Sequence, residues 1–135
     1  MKVFIITAFA GLLLFSCSKT SSSGQKTITG KWELRQSTGG IAGTINYAPG
    51  NGRIYQFDNN KKFQLLYPAS PIISGTYEVS ASSHTGDWLL QLQFVNNNQV
   101  LTTKDSIHFE ANKLIFLSTA PYVDMPTLSY ERLLY

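Results

Sequence analysis

The chain is nearly devoid of cysteine: of its 135 residues only Cys17 carries a thiol. One cysteine closes no disulfide within a chain and is too few for a thiolate metal centre, so neither staples the fold. Histidine is almost as scarce, with His84 and His108 alone. Charge is thin as well: eleven Lys and Arg stand against eight Asp and Glu, scattered rather than clustered. That balance argues against nucleic acid as a partner. The chain has no internal repeat, no convincing amphipathic helix and no apolar run of the eighteen or more residues that span a bilayer. The motifs of nucleophile turns, zinc hydrolases and phosphate-binding loops are missing too.

What is present begins at the N-terminus. Lys2 precedes a nearly unbroken apolar run from Val3 to Leu14, interrupted only by Thr7 and Gly11. As a helix it measures roughly 18 Å, against about 30 Å of hydrocarbon. A charged start and a short apolar middle describe a secretory signal peptide. Leu14-Phe15-Ser16-Cys17 resembles the lipobox of bacterial lipoproteins. That resemblance implies cleavage before Cys17, a diacylglyceryl thioether on its sulfur, and membrane attachment through the lipid. Residues 1–16 are then the signal peptide. Residues 17–29 are the lipidated cysteine and a tether, for SKTSSSGQKTIT has almost no apolar content. Ser18 is not the aspartate of inner-membrane retention, and no acidic residues follow Cys17 as in the surface-export signals of Bacteroidetes. The expected address is the cell envelope, at the periplasmic face of the outer membrane, with the cell surface as the alternative.

Residues 30–135 form one domain of about one hundred residues, enough for a single core. Its periodicity is two almost throughout. Trp32 and Leu34 alternate with Lys31, Glu33 and Arg35; Tyr55 and Phe57 alternate with Gln56 and Asp58. In WLLQLQFV, Trp88, Leu90, Leu92 and Phe94 share one face. The last strand places Leu128, Tyr130, Arg132 and Leu134 together. Asn59-Asn60, Asn96-Asn97-Asn98 and Ala111-Asn112 supply turns. About eight strands joined by short connections, with no crossover helix, predict an all-β fold. An antiparallel up-and-down eight-stranded barrel is expected, since closure removes exposed edges; a two-sheet β-sandwich is the alternative.

Gly30-Lys31-Trp32 at the start of the first strand matches the Gly-x-Trp motif of lipocalins, and Arg132 falls where that family places an arginine across the tryptophan. Gly39 to Gly43, Phe57 to Phe63, Ser74 to Tyr77, Asn112 to Leu114 and Tyr130 to Arg132 resemble the small lipocalin-like lipoproteins of Bacteroidetes. The resemblance implies a barrel closed by Gly30, Trp32 and Arg132, with a ligand cavity inside.

Two function classes remain. A Ser-His-Asp site is conceivable, because Asp87 lies near His84 and Asp105 near His108 in sequence. The carboxylates are nonetheless single and dispersed, so catalysis is not expected, and neither is a metal or cofactor. A binding module is the stronger class, given seven Tyr, eight Phe and two Trp. Inward aromatics either fill a barrel or line a pocket for a small apolar or amphipathic ligand. The expected lining is Tyr55, Phe57, Phe63, Tyr77, Trp88, Leu90 and Leu92, with its mouth opposite Trp32. Long loops at Thr38–Gly52 and Pro68–Ile73, with Tyr47 and Tyr67 near them, are the candidate lid. A filled interior would instead suit a lipid-anchored interaction protein acting through its loops and strand faces.

Overall fold

The computed structural model describes residues 27–84, 86–117 and 125–134. Cys17, the apolar run before it and tether residues 18–26 lie outside them. Nine strands follow in order: β1 (Gly30–Thr38), β2 (Thr44–Asn46), β3 (Ile54–Phe57), β4 (Lys62–Leu66), β5 (Ile73–Ala81), β6 (Trp88–Asn96), β7 (Gln99–Glu110), β8 (Lys113–Leu117) and β9 (Thr127–Arg132). All pairings are antiparallel. The sheet order is β2-β1-β3-β4-β5-β6-β7-β8-β9, and β1 also pairs with β9. Eight strands therefore close into an up-and-down barrel, with β2 as an extra strand. The barrel, not the sandwich, is the fold, and its architecture is compatible with a lipocalin-like fold.

The extra strand has a simple origin. Along one edge of β1, Gly30 to Glu33 pair with β3, while Gln36 to Thr38 pair with β2. Leu34 N donates to Arg53 O at 2.9 Å, and Tyr47 N donates to Arg35 O at 2.8 Å. β2 and β3 are thus two pieces of one return path, interrupted by an outward excursion through residues 48–52. The span from Thr38 to Gly52, expected as a plain loop, contains this strand. On the other edge, Leu34 faces Tyr130 and Gln36 faces Ser129, so Arg35 is the extra residue of a bulge. The bulge shifts the phase of β1: Trp32 and Leu34 are buried before it, Ser37 after it.

Turn chemistry fixes the other registers. Asn97 and Asn98 both have positive φ, at 48° and 61°, in the two-residue link between Asn96 and Gln99. Asp58 Oδ1 accepts from Asn60 N at 2.9 Å and Lys62 N at 2.8 Å, holding the β3–β4 turn. At Gly75 an added Cβ would lie 2.0 Å from Gln93 O. Only glycine fits there, and Phe63 and Phe94 meet near it edge-on at 6.3 Å.

One core fills the barrel: Trp32, Leu34, Phe57, Phe63, Tyr77, Leu90, Leu92, Ile107, Phe109, Leu114, Phe116 and Tyr130, joined by Ile28. Since Ile28 is buried, the barrel takes in residues that composition assigns to the tether. At the other terminus Leu134 lies beyond β9 and is exposed, so it does not share the buried face of Tyr130.

Candidate functional site

Three regions carry specific chemistry, and the first is the end of the barrel where β1 begins. Arg132 lies opposite Trp32 in the β1–β9 register, and its Cζ sits 4.4 Å from the centre of the Trp32 ring system. Arg132 Nη2 donates to Thr27 O at 2.6 Å, and Trp32 Nε1 donates to Ile28 O at 2.6 Å. The segment before β1 is thereby drawn across the barrel end as a plug. Gly30, at φ 132°, leaves room for the guanidinium: a Cβ there would sit 3.4 Å from Arg132 Nη1. Cation–π contact contributes about 0.5–2 kcal/mol, more as water is excluded. This arrangement is structural, since each group is spent on another part of the protein.

The second region is the barrel interior. Tyr55 stacks on Phe57 at 5.5 Å and on Phe116 at 5.2 Å, and meets the edge of Tyr130 at 5.4 Å. Phe116 and Tyr130 are 5.3 Å apart, which completes a three-ring cluster. Below it, Phe57 meets Tyr77 edge-on at 5.0 Å, and Tyr77 Oη donates to Asp58 O at 2.7 Å. Leu65 and Leu128 pack against this core while partly buried. Asp105 shares the inward phase of Ile107 and Phe109 on β7 and faces Leu90 across the β6–β7 pair. Burial raises its carboxyl above the ordinary 3.8, and no donor among the described residues offsets the rise. Burial first, then Tyr67 and Asp105, push the Tyr55 phenol far above its usual range. Tyr130 is raised by burial, then by Tyr55 and Tyr67, with Arg53 opposing. Arg53 Cζ also sits 4.8 Å from the Tyr47 ring centre. Tyr55, Tyr67, Asp105 and Tyr130 thus form one electrostatic neighbourhood that includes two of the three clustered rings.

Of the seven residues expected to line a pocket, Phe57, Phe63, Tyr77, Leu90 and Leu92 are buried in the core, and Tyr55 and Trp88 pack against it partly buried. Tyr77 and Trp88 border a crevice of about 290 Å³ together with Thr27, Ile28 and Phe109. That crevice lies at the Trp32 end rather than opposite it. Another groove, of about 600 Å³, runs over β5 and β6 and is lined by Thr76, Glu78, Ser80, Gln91 and Gln93, with Tyr77 its only member from the expected set.

The third region was invisible as a site in the sequence. Glu33 is 2% exposed although it points away from the core, because the excursion through residues 48–52 covers it. Its carboxylate accepts from Gly50 N at 3.1 Å and Gly52 N at 3.2 Å, and pairs with Arg35. Arg35 Nε also reaches Glu131 Oε2 at 3.3 Å. Glu33 and Glu131 are cross-strand partners, so the bulged Arg35 separates two carboxylates that would otherwise repel. Asn51 Nδ2 donates to Leu34 O at 2.7 Å and Ala48 O at 2.8 Å. Burial alone would raise the Glu33 carboxyl. The Gly50 amide, Arg35 and the Gly52 amide outweigh it and hold the group below its ordinary 4.5.

The histidines pair differently from their order in sequence. His108 Nδ1 and Asp87 Oδ1 are 2.9 Å apart on the outer face, so the Asp87 carboxylate pairs with His108, while only its backbone N donates to His84 O, at 3.3 Å. Asp105, two strand positions below Ile107, faces inward, away from His108. Strand alternation separates residues 105 and 108 that sequence proximity suggests as partners. Among the described residues no group of three or more His, Cys, Asp or Glu could hold a metal ion. Compared with protein-family models, curated proteins and solved structures, the chain matches none of them.

Proposed function

We propose that this protein is a lipid-anchored, lipocalin-like carrier that holds a small apolar or amphipathic molecule in the half of the barrel away from Trp32. One observation carries the reading: Tyr55, Phe116 and Tyr130 form an aromatic cluster, and the half-buried Asp105, opposite Leu90 on β6, faces inward within electrostatic reach of it. An apolar floor with one or two polar groups is how a pocket orients an amphipathic molecule. Anchoring through Cys17 at the outer membrane, on its periplasmic face, places such a carrier where lipophilic molecules accumulate. Binding rather than catalysis suits the site, since the His108–Asp87 pair stands on the opposite surface from this cluster.

Native mass spectrometry of protein extracted from the membranes of its own organism tests both parts. The covalent mass should correspond to a chain starting at Cys17 plus acyl groups, and a non-covalent molecule should accompany it. Leu128→Trp, which enlarges a partly buried position beside the cluster, should abolish the non-covalent mass while the fold survives. Saturating ligand at one hundred times its dissociation constant should stabilise the unmodified protein by about 2.7 kcal/mol. A bare polypeptide mass, with Leu128→Trp unfolding the barrel, would overturn the carrier. It would favour a second reading that the burial of Phe57, Phe63, Leu90 and Leu92 supports: an anchored interaction protein with a filled core.

A further inference from the structure

The two ends of the barrel differ sharply in polarity. β1 runs away from the Trp32 end, so in an antiparallel barrel its outgoing turn at residues 39–43 shares the far end with residues 67–72, 97–98 and 125–126. Residues 58–61, 82–87 and 111–112 lie at the Trp32 end. Among the described residues the far-end turns read GGIAG, YPASPI, NN and MP and hold no charged side chain; Asp124, in the same β8–β9 connection, lies outside them. Those at the Trp32 end include Asp58, Lys61, His84 and Asp87. Exposed large apolar residues follow the same division. Ile41 is 98% exposed at the tip of its glycine-flanked turn, Ile72 58% and Met125 59%. Val95 and Val100, a cross-strand pair beside the Asn97-Asn98 turn, are 64% and 63% exposed. Among the described large hydrophobics, Leu134 is the one exposed at the Trp32 end.

We infer that this rim, with the exposed apolar side chains of Ile41, Ile72, Val95, Val100 and Met125 on or beside its turns, dips into the surface of a phospholipid bilayer. The inference rests on the membrane-anchored reading above. Its own support is the form of the rim. The apolar side chains stand one or two to a turn on four separate turns, spaced around a ring by Gly, Pro, Ser and Asn. They can each enter the interface without forming the flat contiguous patch that a protein partner would cover. A bilayer penalises charge and tolerates Tyr at headgroup level, and Tyr67 stands on this rim. Tether length permits the orientation. The nine residues of β1 span about 30 Å, or about 23 Å along the axis of a barrel tilted near 40°. The ten residue steps from Cys17 to Thr27 reach about 35 Å when extended, so the anchor can lie in the plane of the far rim. A molecule leaving the bilayer would then enter the barrel without crossing water.

The test uses the full chain with Cys17→Ser, so that a single introduced thiol takes an environment-sensitive fluorophore. The thiol is placed in turn by Ile41→Cys, Val100→Cys or Asn60→Cys, the last in the β3–β4 turn. Phosphatidylcholine vesicles are added, with and without brominated acyl chains. Labels at positions 41 and 100 should shift to the blue and lose roughly half their emission to bromine, as expected some 5–10 Å into the interface. The label at position 60 should not change, and high salt should leave the pattern intact because the side chains that enter are apolar. Quenching at position 60 instead, or none at 41 and 100, overturns the inference. So does shielding of 41 and 100 before vesicles are added, which would make the rim a contact between copies of the chain. The labels report depth whether or not the barrel is occupied, so a chain that yields no bound molecule but dips its rim refutes the carrier alone.

Discussion

The Trp32 end and the far end of this barrel are built from the same eight strands by different chemistry. At the Trp32 end, side chains bond to backbone: Arg132 to Thr27 and Tyr77 to Asp58 across longer stretches of sequence, and Trp32 to Ile28 four residues back. Each bond closes a gap that water would otherwise enter, and each fixes a turn or terminus against the core. At the far end the side-chain hydrogen bonds among the described residues are the exposed pairs Gln36–Asn46 and Thr38–Gln36. A barrel needs only one of its ends sealed to define its registers. The other can then spend its side chains on something outside the molecule.

The largest effect that sharpens this contrast is loss of the seal. Trp32→Ala removes a ring that is 1% exposed and leaves Arg132 with nothing to cover, and should cost about 3–5 kcal/mol in urea unfolding. Leu128→Ala, against the partly buried far half, should cost about 1 kcal/mol, because water already reaches part of the site. Equal losses at the two positions would mean that the ends are equally tight, and the division would fail.

How far each region can be read from the chain follows from the same physics. The Trp32–Arg132 contact is legible because closure of an up-and-down barrel makes first and last strands neighbours, whatever their separation in sequence. The ring cluster is legible in part: alternation points Tyr55 and Phe57 inward but says nothing about how tightly their partners fill the space. Glu33 is not legible. An outward charged residue on a strand reads as solvated, and what buries this one is an excursion of the chain between β2 and β3. The hint, visible only afterwards, is Gly50-Asn51-Gly52, a stretch able to turn two amides toward one carboxylate. The inward place of Asp105 is not legible for a related reason, since nearness to His108 along a strand is not nearness in space.

Glu33 therefore offers an intermediate effect, and one with a pH signature. Its folded-state pKa is depressed below 4.5, so its ionised form contributes stability that is present above that value. That contribution is lost as pH falls through the folded value. Glu33→Gln keeps one acceptor but surrenders the charge-assisted bonds, and should cost about 1–2 kcal/mol at pH 7. Chemical denaturation from pH 7 to pH 3 should show the gap to the unmodified protein narrowing below about pH 4.5. A constant gap would mean that the excursion is held by Asn51 and the backbone, not by the carboxylate.

Asp105 should give the smallest effect, and of opposite sign. Burial raises its folded-state pKa above the ordinary 3.8, so the unfolded chain ionises it more readily than the barrel does. Its stability is therefore greatest below the unfolded value and declines as pH rises through the folded value, the reverse of Glu33. Asp105→Asn, which removes the charge and keeps the shape, should stabilise the empty barrel at pH 7 by well under about 1 kcal/mol, since solvent reaches the group and screens it. The gain should vanish near pH 3, where both forms are neutral. A carboxylate kept inside a barrel at a cost to stability is accounted for if it meets a donor or cation on the molecule the barrel carries. If Asp105→Asn is stabilising yet leaves ligand mass and affinity untouched, that account is wrong, and the proposed ligand is oriented by aromatic contact alone. If Asp105→Asn destabilises at pH 7, the carboxylate is serving the fold itself, and the two ends are less different than their bonding suggests.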